Sequence, residues 1–202
     1  MYYWLIWYTI FYCIIHSIMA EPKILKRYYY RWWYRGFYVF TSIILLFPLW
    51  YIYLNIDDKY LFNPSLWGKL FLYFISGFGI FWGYLTSKEY DNKSFLGMDQ
   101  IKRFFKDKVH IHTDNTFFKT DGVLGIMRHP YYFAGLLILW GRTLKIKDLI
   151  INIIFTFYFI FGALNEERKL IELYGEKYTE YKRKVPMLFP NLRTIFHKIK
   201  NN

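Results

Sequence analysis

Two groups of charged residues lie at the ends of apolar segments in the C-terminal half of the chain, and both could take part in chemistry. Arg128, His129 and Pro130 immediately precede one apolar stretch, and the pair Glu166-Glu167 follows the next. Ionisable groups close to a membrane interior are costly and often mark functional sites. A guanidinium suits a carboxylate and a carboxylate suits an ammonium ion. Together the two groups predict a site for a zwitterionic, amino-acid-like ligand.

The two groups can share one site only if the segments that carry them run antiparallel. A hairpin of apolar helices would bring Arg128 close to Glu166 or Glu167. Aromatic residues, among them Tyr131 and Trp140, are then expected nearby. Aromatic faces attract a sulfonium cation through the ring quadrupole. A ligand that combines an amino acid with a sulfonium ion, such as S-adenosylmethionine, fits this description.

Each of these residues also has a simpler interpretation, which the sequence alone leaves open. Arg128 could anchor to lipid phosphate, and His129-Pro130 could be an ordinary loop-to-helix junction, since proline suits the first helical turn. The two glutamates could form the acidic first turn of a new helix that Asn165 caps. If the glutamates face a ligand, Glu167 is the better candidate, because it shares a helical stripe with apolar and tyrosine residues downstream.

Composition and charge favour a membrane protein. Of the 202 residues, 55% are hydrophobic and 25% aromatic, and the formal net charge is +12. Lys and Arg cluster in loops beside apolar segments, which is typical of membrane topology and argues against nucleic-acid binding. The single cysteine excludes a disulfide framework and a Cys-rich zinc site. His110 and His112 lack further ligands at a suitable spacing, so no metal site is predicted.

Five apolar segments approach the length of about 20 residues that crosses a bilayer. They are residues 2–19, 37–54, 66–86, 131–146 and 148–164. The predicted fold is therefore an all-α integral membrane protein of about five transmembrane helices, in which the last two form a C-terminal helical hairpin. Cations in the short link between them are expected to snorkel to the membrane interface.

The loops predict orientation and regional organisation. The 20–36 loop is strongly basic, which places it in the cytoplasm by the positive-inside rule. We expect residues 1–86 to form a three-helix transmembrane region, and residues 87–202 a catalytic region with a cytoplasmic linker, the hairpin and a C-terminal amphipathic helix. Residues 99–108 and 166–185 have amphipathic helical spacing and are predicted to lie against the cytoplasmic membrane surface.

The C-terminal motifs resemble a known superfamily. The runs GVLGIMRHPYYFAG, NEERKL, YGEKYTEYKRKVP and FP, between residues 122 and 190, are similar in order and spacing to the signature of the isoprenylcysteine carboxyl methyltransferase and phospholipid methyltransferase superfamily. The N-terminal half resembles its bacterial methanethiol S-methyltransferase-like branch. That second match is carried by His16-Ser17-x-x-Ala20, Tyr90-Asp91 and the run FLGMDQ at 95–100.

The resemblance implies an integral-membrane methyltransferase that uses S-adenosylmethionine and acts on a small or lipophilic, methanethiol-like thiol. Catalytic roles would fall to His129, as an acceptor of the thiol proton, and Arg128. The implied cofactor-binding residues are His129, Pro130, Tyr131, Gly125, Glu166, Glu167 and Tyr178. Partners would be the methyl acceptor and membrane lipids, with the active site on the cytoplasmic side of the cytoplasmic membrane.

Glycines near these motifs have two interpretations. Phospholipid methyltransferases carry a Gly-x-Gly element in an apolar helix, and Gly77 and Gly79 have that spacing. Small residues also allow close helix packing, which is the simpler interpretation. Gly122 and Gly125 are expected to give the turn before Arg128 its conformational freedom.

Other functions remain compatible with the sequence. A prenylated cysteine carboxylate or a phospholipid amine could be the acceptor in the same chemistry. An NADPH-dependent membrane reductase is an alternative of another class, because sterol reductases have a similar C-terminal region. A non-catalytic accessory membrane protein would also show basic loops and an aromatic belt.

Overall fold

The computed structural model describes residues 2–108 and 119–190, so His110 and His112 lie outside the described residues. The α-helices within these ranges are α1 (Tyr2–Met19), α2 (Pro22–Leu25), α3 (Tyr34–Ile44), α4 (Leu46–Leu54), α5 (Leu66–Ser87), α6 (Asn92–Phe95), α7 (Met98–Asp107), α8 (Pro130–Trp140), α9 (Ile146–Tyr174) and α10 (Glu176–Lys184). Strands β1 (Tyr60–Phe62) and β2 (Leu144–Lys145) form a two-stranded sheet.

Four helical segments of the described chain are long and apolar enough to cross a membrane. They are Tyr2–Met19, Tyr34–Leu54, Leu66–Ser87 and Ile146–Tyr174. The second comprises α3 and α4, which meet at Leu45. The protein is thus an all-α membrane protein, as its apolar periodicity predicts. The predicted amphipathic helix near residues 99–108 is present as α7.

The C-terminal apolar segments differ from the prediction in length. Helix α8 has 11 residues and spans about 16 Å, which is short of the roughly 30 Å hydrocarbon core. It ends at Trp140 with Gly141 as its C-cap, and the polar Arg142 that follows donates from Nε to the Leu139 carbonyl at 3.3 Å. Helix α9, in contrast, continues for 29 residues without a break at Asn165. The interpretation of the glutamates as the first turn of a new helix is therefore wrong.

The described chain divides into two compact units. Of the described residues, the first unit comprises 2–61, 90–108 and 145–154, and the second comprises 62–89, 119–144 and 155–190. In the first unit α7 packs against the 20–36 loop, where the Trp32 and Phe104 rings stack with centroids 4.0 Å apart. The functional division at residue 86 remains a prediction.

A buried lysine in the first unit corrects, for that one residue, the expectation that the cations of the 142–148 link snorkel. Lys147 is only 6% exposed, and its Nζ donates to the carbonyls of Tyr53 at 3.0 Å and Ile56 at 2.8 Å. Its backbone N–H donates to Asp58 Oδ2 at 2.7 Å. The carbonyl oxygens at the C-terminal end of α4 carry partial negative charge, which stabilises the ammonium there.

In the second unit α8 packs against α5, and Gly79 marks a close approach. A Cβ added at Gly79 would lie 2.9 Å from Leu137 Cβ and 3.0 Å from the Ala134 carbonyl oxygen, whereas a Cβ added at Gly77 would meet nothing within 4 Å. The packing interpretation therefore accounts for Gly79, and Gly77 has no packing requirement.

Helix α8 also runs antiparallel to the part of α9 that belongs to the second unit. Near the start of α8, the Tyr132 hydroxyl would lie 3.2 Å from a Cβ added at Gly162. Near its end, Trp140 Nε1 donates to Thr156 Oγ1 at 3.0 Å. Residue numbers thus fall along α9 as they rise along α8, as the hairpin prediction requires. If the same pairing is continued back to the start of α8, residue 129 lies opposite residues 166 and 167.

Candidate functional site

A tight turn positions the start of α8. Gly122 has φ +57°, and a Cβ there would overlap the carboxylate of Glu89. A 3-10 turn over Gly122–Gly125 follows, and it buries Val123 and Leu124. The conformational freedom of glycine is therefore needed at Gly122, as expected. It is not needed at Gly125, which has an ordinary negative φ within the turn.

A second glycine positions the opposite side of the site. Gly175 has φ +56° and ends α9, so the predicted helix over residues 166–185 is in fact broken at this point. Helix α10 then ends before Pro186, as proline predicts. The helical spacing within residues 166–185 produces one cluster, in which Tyr178, Tyr181 and Val185 are buried and the partly buried Leu170 and Tyr174 pack against them. The cluster holds α10 against the end of α9.

A compact group of charges forms where α8 begins, and Glu167 is its centre. Arg128 Nε donates to Glu167 Oε1 at 2.7 Å, and Nη2 lies 2.5 Å from the same oxygen. His129 Nε2 also approaches that oxygen, at 3.3 Å. Lys182 Nζ of α10 lies 2.8 Å from the other oxygen, Oε2. We call these three cations and the carboxylate the Glu167 cluster.

Arg128 is used mainly to join segments of the protein. Its Nη1 donates to the carbonyls of Lys182, at 2.9 Å, and Val185. Its backbone N–H donates to the Pro186 carbonyl at 2.9 Å, and the next residue repeats this pairing from His129 N to the Met187 carbonyl at 3.0 Å. The side chain is 7% exposed. Arg128 therefore fixes the end of α10 to the start of α8.

Both ring nitrogens of His129 face carboxylates. Besides the contact with Glu167, Nδ1 lies 3.5 Å from Glu166 Oε2. Burial of the ring by itself lowers the pKa of His129, but hydrogen bonds and negative charge from Glu166 and Glu167 outweigh it and raise that pKa above 6.5. Since each nitrogen has an acceptor opposite it, the doubly protonated imidazolium is the form that the site favours.

The charged side chains differ sharply in exposure. The Glu167 side chain is 2% exposed, whereas that of Glu166 is 46% exposed and that of Lys182 is 42% exposed. The carboxylate of Glu166, beside the cluster, and the ammonium of Lys182, within it, are thus both accessible. A zwitterionic ligand carries the complementary pair of charges, and charge-assisted hydrogen bonds of this kind are among the stronger ones.

The remaining predicted residues are distributed unevenly around the cluster. Pro130 is fully buried at the first position of α8, and Tyr131 beside it is 39% exposed. Tyr178 is 1% exposed, and its pKa is raised, first by burial and then by the charge of Glu167. Trp140 was expected near the site but lies at the opposite end of α8, about 15 Å along the helix axis.

Lys182 is the site residue that sequence reasoning missed. It belongs to a Lys-Arg-Lys run that is typical of a solvated helix face. A signal was nevertheless present, because Lys182 lies four residues after Tyr178 and therefore on the same helix face. Only the turn at Gly175 brings that face to Glu167.

Comparison with known proteins gives relatives that share one name. The chain is 27% identical over 185 residues to a protein named methanethiol S-methyltransferase from Pseudomonas deceptionensis, covering 88% of this chain and 68% of the relative. It is 26% identical over 180 residues to one of the same name from Crocosphaera subtropica, covering 87% of this chain and 69% of the relative. The predicted resemblance is confirmed. The shared name indicates a methyltransferase.

A shorter match of higher identity occurs with methanethiol S-methyltransferase 1 from Bradyrhizobium diazoefficiens. It is 34% identical over 79 residues, which cover 39% of this chain and 28% of the relative. No protein-family model matches the chain, and no solved structure matches it.

Proposed function

We propose that this membrane protein is an S-adenosylmethionine-dependent methyltransferase that acts on a small or lipophilic, methanethiol-like thiol. The observation that carries the proposal is that two charged side chains at the Glu167 cluster are accessible: Glu166, which contacts His129 of the cluster, and Lys182, which belongs to it. The names of the relatives support the reaction class and the thiol acceptor.

The residues present fit the amino-acid end of this cofactor. Glu166 is half exposed, and its contact with His129 Nδ1 is 3.5 Å long, so its carboxylate can accept hydrogen bonds from an ammonium group. Lys182 can serve the cofactor carboxylate from the other side, and the half-exposed ring of Tyr131 lies beside the start of α8. When bound, S-adenosylmethionine supplies an electrophilic methyl group on a sulfonium ion.

Buried members of the cluster act as positioning residues in this proposal. Glu167 already faces Arg128, His129 and Lys182, so it holds these cations in place and does not serve as a ligand of its own. The Arg128 guanidinium likewise donates to the backbone carbonyls of Lys182 and Val185. Preorganised charges of this kind contribute to catalysis because they need no rearrangement when the substrate arrives.

His129 has a different role here from that of a general base. Its raised pKa and its two carboxylate partners keep it protonated near neutral pH. The imidazolium therefore orients Glu166 toward the ligand. A thiol, with an ordinary pKa of about 8.5, reacts as the thiolate. The site has one more cation than it has carboxylates, and this excess of positive charge stabilises the thiolate. The thiol proton passes to water before the methyl group is transferred.

The proposed location follows from loop charge. The basic 20–36 loop favours the cytoplasmic side of the cytoplasmic membrane for that end of α1. With three apolar segments before residue 87, the same rule puts the start of α8 on the cytoplasmic side, and we propose that the active site faces the cytoplasm.

The decisive experiment is calorimetric titration of the purified protein in lipid nanodiscs with S-adenosylmethionine. Saturable binding is expected, and transfer of a radiolabelled methyl group should then be measured with methanethiol, a farnesylcysteine analogue and phosphatidylethanolamine. Transfer to methanethiol supports the thiol acceptor. Transfer to either of the other two keeps the chemistry and replaces the acceptor. A folded protein that does not bind S-adenosylmethionine contradicts the proposal.

A further inference from the structure

The first compact unit contains a cavity of about 200 Å³ that the proposed reaction does not use. It lies where α1 ends, at Met19, and where α3 begins, at Tyr34. Its walls combine tyrosine rings with polar side chains, including Tyr30, Tyr90, Arg31, Arg35, Asp91 and Gln100. The ends of apolar helices are the depth at which lipid headgroups lie, so the cavity opens at the level of the membrane interface.

Charge in this cavity is predominantly positive. Arg35 is fixed in place, since Nε donates to the Phe95 carbonyl at 2.7 Å and the guanidinium lies 4.7 Å from the Phe95 ring centroid. Arg31 is exposed beside it. Asp91 is the acidic residue in the lining, and its Oδ1 accepts the backbone N–H groups of Lys93 at 3.1 Å and Ser94 at 3.3 Å. The two arginines are thus available to an anion.

Gln100 adds an unsatisfied acceptor to the lining. The residue is 5% exposed, and its Nε2 donates to the Ser94 carbonyl at 3.0 Å. Its Oε1 is buried and accepts no hydrogen bond within the part of the chain that the structure describes. A buried polar atom without a partner costs about 1–3 kcal/mol. A ligand that brings a hydroxyl to this oxygen would remove that cost.

The N-terminal motifs converge on this cavity. Ala20, Tyr90, Asp91 and Gln100, which the sequence singled out, all line it. His16 contacts a residue of the cavity lining, because its Nε2 lies 2.8 Å from the hydroxyl of Tyr38. These motif residues belong to the first unit, whereas the Glu167 cluster belongs to the second.

We propose that this cavity binds the headgroup of an anionic, hydroxyl-bearing phospholipid of the phosphatidylglycerol type. Arg31 and Arg35 would face the phosphate, and a headgroup hydroxyl would donate to Gln100 Oε1. Basic pockets between transmembrane helices commonly bind such headgroups. The volume of the cavity suits a headgroup, while the acyl chains would lie along the exposed apolar surface of the neighbouring helices.

Calorimetry on the full chain in neutral detergent tests this site independently of methyl transfer. The titrants are short-chain phosphatidylglycerol, short-chain phosphatidylcholine and glycerol 3-phosphate, the last of which separates a lipid from a soluble phosphate. Three variants are compared with the wild type. Arg31→Gln removes a cavity cation, and Gln100→Met removes the buried acceptor at similar size. Arg27→Gln makes the same charge change in the same loop outside the cavity lining.

Phosphatidylglycerol should bind more tightly than phosphatidylcholine, and Arg31→Gln and Gln100→Met should each weaken it about tenfold. Arg27→Gln should change it by less than about twofold, as expected for a single screened surface charge. Equal losses in all three variants would mean general surface attraction and would overturn the proposal. Equal binding of glycerol 3-phosphate would replace the lipid by a soluble phosphate ester. Thermal melting shows whether each variant is folded. If Arg31→Gln does not fold, the comparison of Gln100→Met with the wild type tests the proposal by itself.

Discussion

Glu166 and Glu167 are consecutive in the chain, yet their side chains are 46% and 2% exposed. Adjacent positions of an α-helix point about 100° apart. Helix α9 therefore turns Glu167 toward α8 and α10, where it meets Arg128 and Lys182, and turns Glu166 toward the open edge of the cluster. One carboxylate belongs to the internal framework and the other is available to a ligand. The two should consequently give opposite phenotypes when they are changed.

Glu166→Gln should reduce S-adenosylmethionine affinity by about 10- to 100-fold, the cost of one charge-assisted hydrogen bond. The thermal midpoint of unfolding should change little, because the residue is half exposed. Glu172→Gln is the matched control: it makes the same change on the same helix, at an exposed residue that pairs with Arg168 at 2.8 Å. Titration calorimetry provides the affinities. Equal affinity in Glu166→Gln and the control would show that another group holds the ammonium.

Glu167→Gln should instead destabilise the fold by about 3–5 kcal/mol, since it leaves buried cations without their carboxylate. Glu180→Gln on α10 is its control, because Glu180 is exposed and pairs with Lys184 one turn further along the helix. That change should cost no more than about 0.5 kcal/mol. Chemical denaturation in detergent gives both values. A stable Glu167→Gln variant that loses only cofactor affinity would reverse the roles assigned to the two glutamates.

Much of this arrangement is readable from the sequence, because apolar length and helical spacing are local properties. The antiparallel approach of α8 and α9 follows from the pairing of charged ends, and the buried tyrosine stripe follows from the recurrence of Tyr174, Tyr178 and Tyr181. The sequence favours Glu167 over Glu166 as the carboxylate that faces a ligand; the structure instead buries Glu167 among protein cations and leaves Glu166 accessible.

Other features depend on contacts that local patterns do not contain. Lys182 reaches Glu167 only because the chain turns at Gly175. The conformation of that turn depends on where the following helix, α10, packs. The burial of Lys147 requires carbonyl groups more than 90 residues earlier in the chain. The short length of α8 reflects where polar residues interrupt it. These are tertiary effects, which override expectations drawn from composition alone.

His129 should give the protein a characteristic pH dependence. Its folded-state pKa is raised above the ordinary 6.5 by Glu166 and Glu167. Its stabilisation is therefore complete below the unfolded pKa and is lost as the pH rises through the higher folded pKa. The melting temperature of the wild type should fall between pH 6.5 and the folded pKa, whereas His129→Gln should lack this fall. A wild type that becomes more stable over that interval would contradict the imidazolium assignment.

The two glycines of α5 provide a matched test of how α8 is held. Gly79→Ala places a methyl group 2.9 Å from Leu137 Cβ and 3.0 Å from the Ala134 carbonyl oxygen, so the helices must separate. Overpacking of this kind costs about 1–3 kcal/mol. Gly77→Ala meets nothing within 4 Å and should be neutral or stabilising by up to about 1 kcal/mol through helix propensity.

Both variants can be compared by thermal melting and by S-adenosylmethionine titration. Because α8 carries His129 at its start, Gly79→Ala should weaken cofactor binding together with stability, and Gly77→Ala should leave both unchanged or improved. If Gly77→Ala abolished cofactor binding in a protein of normal stability, the Gly-x-Gly pair would be acting on the ligand. Packing would then no longer explain its spacing.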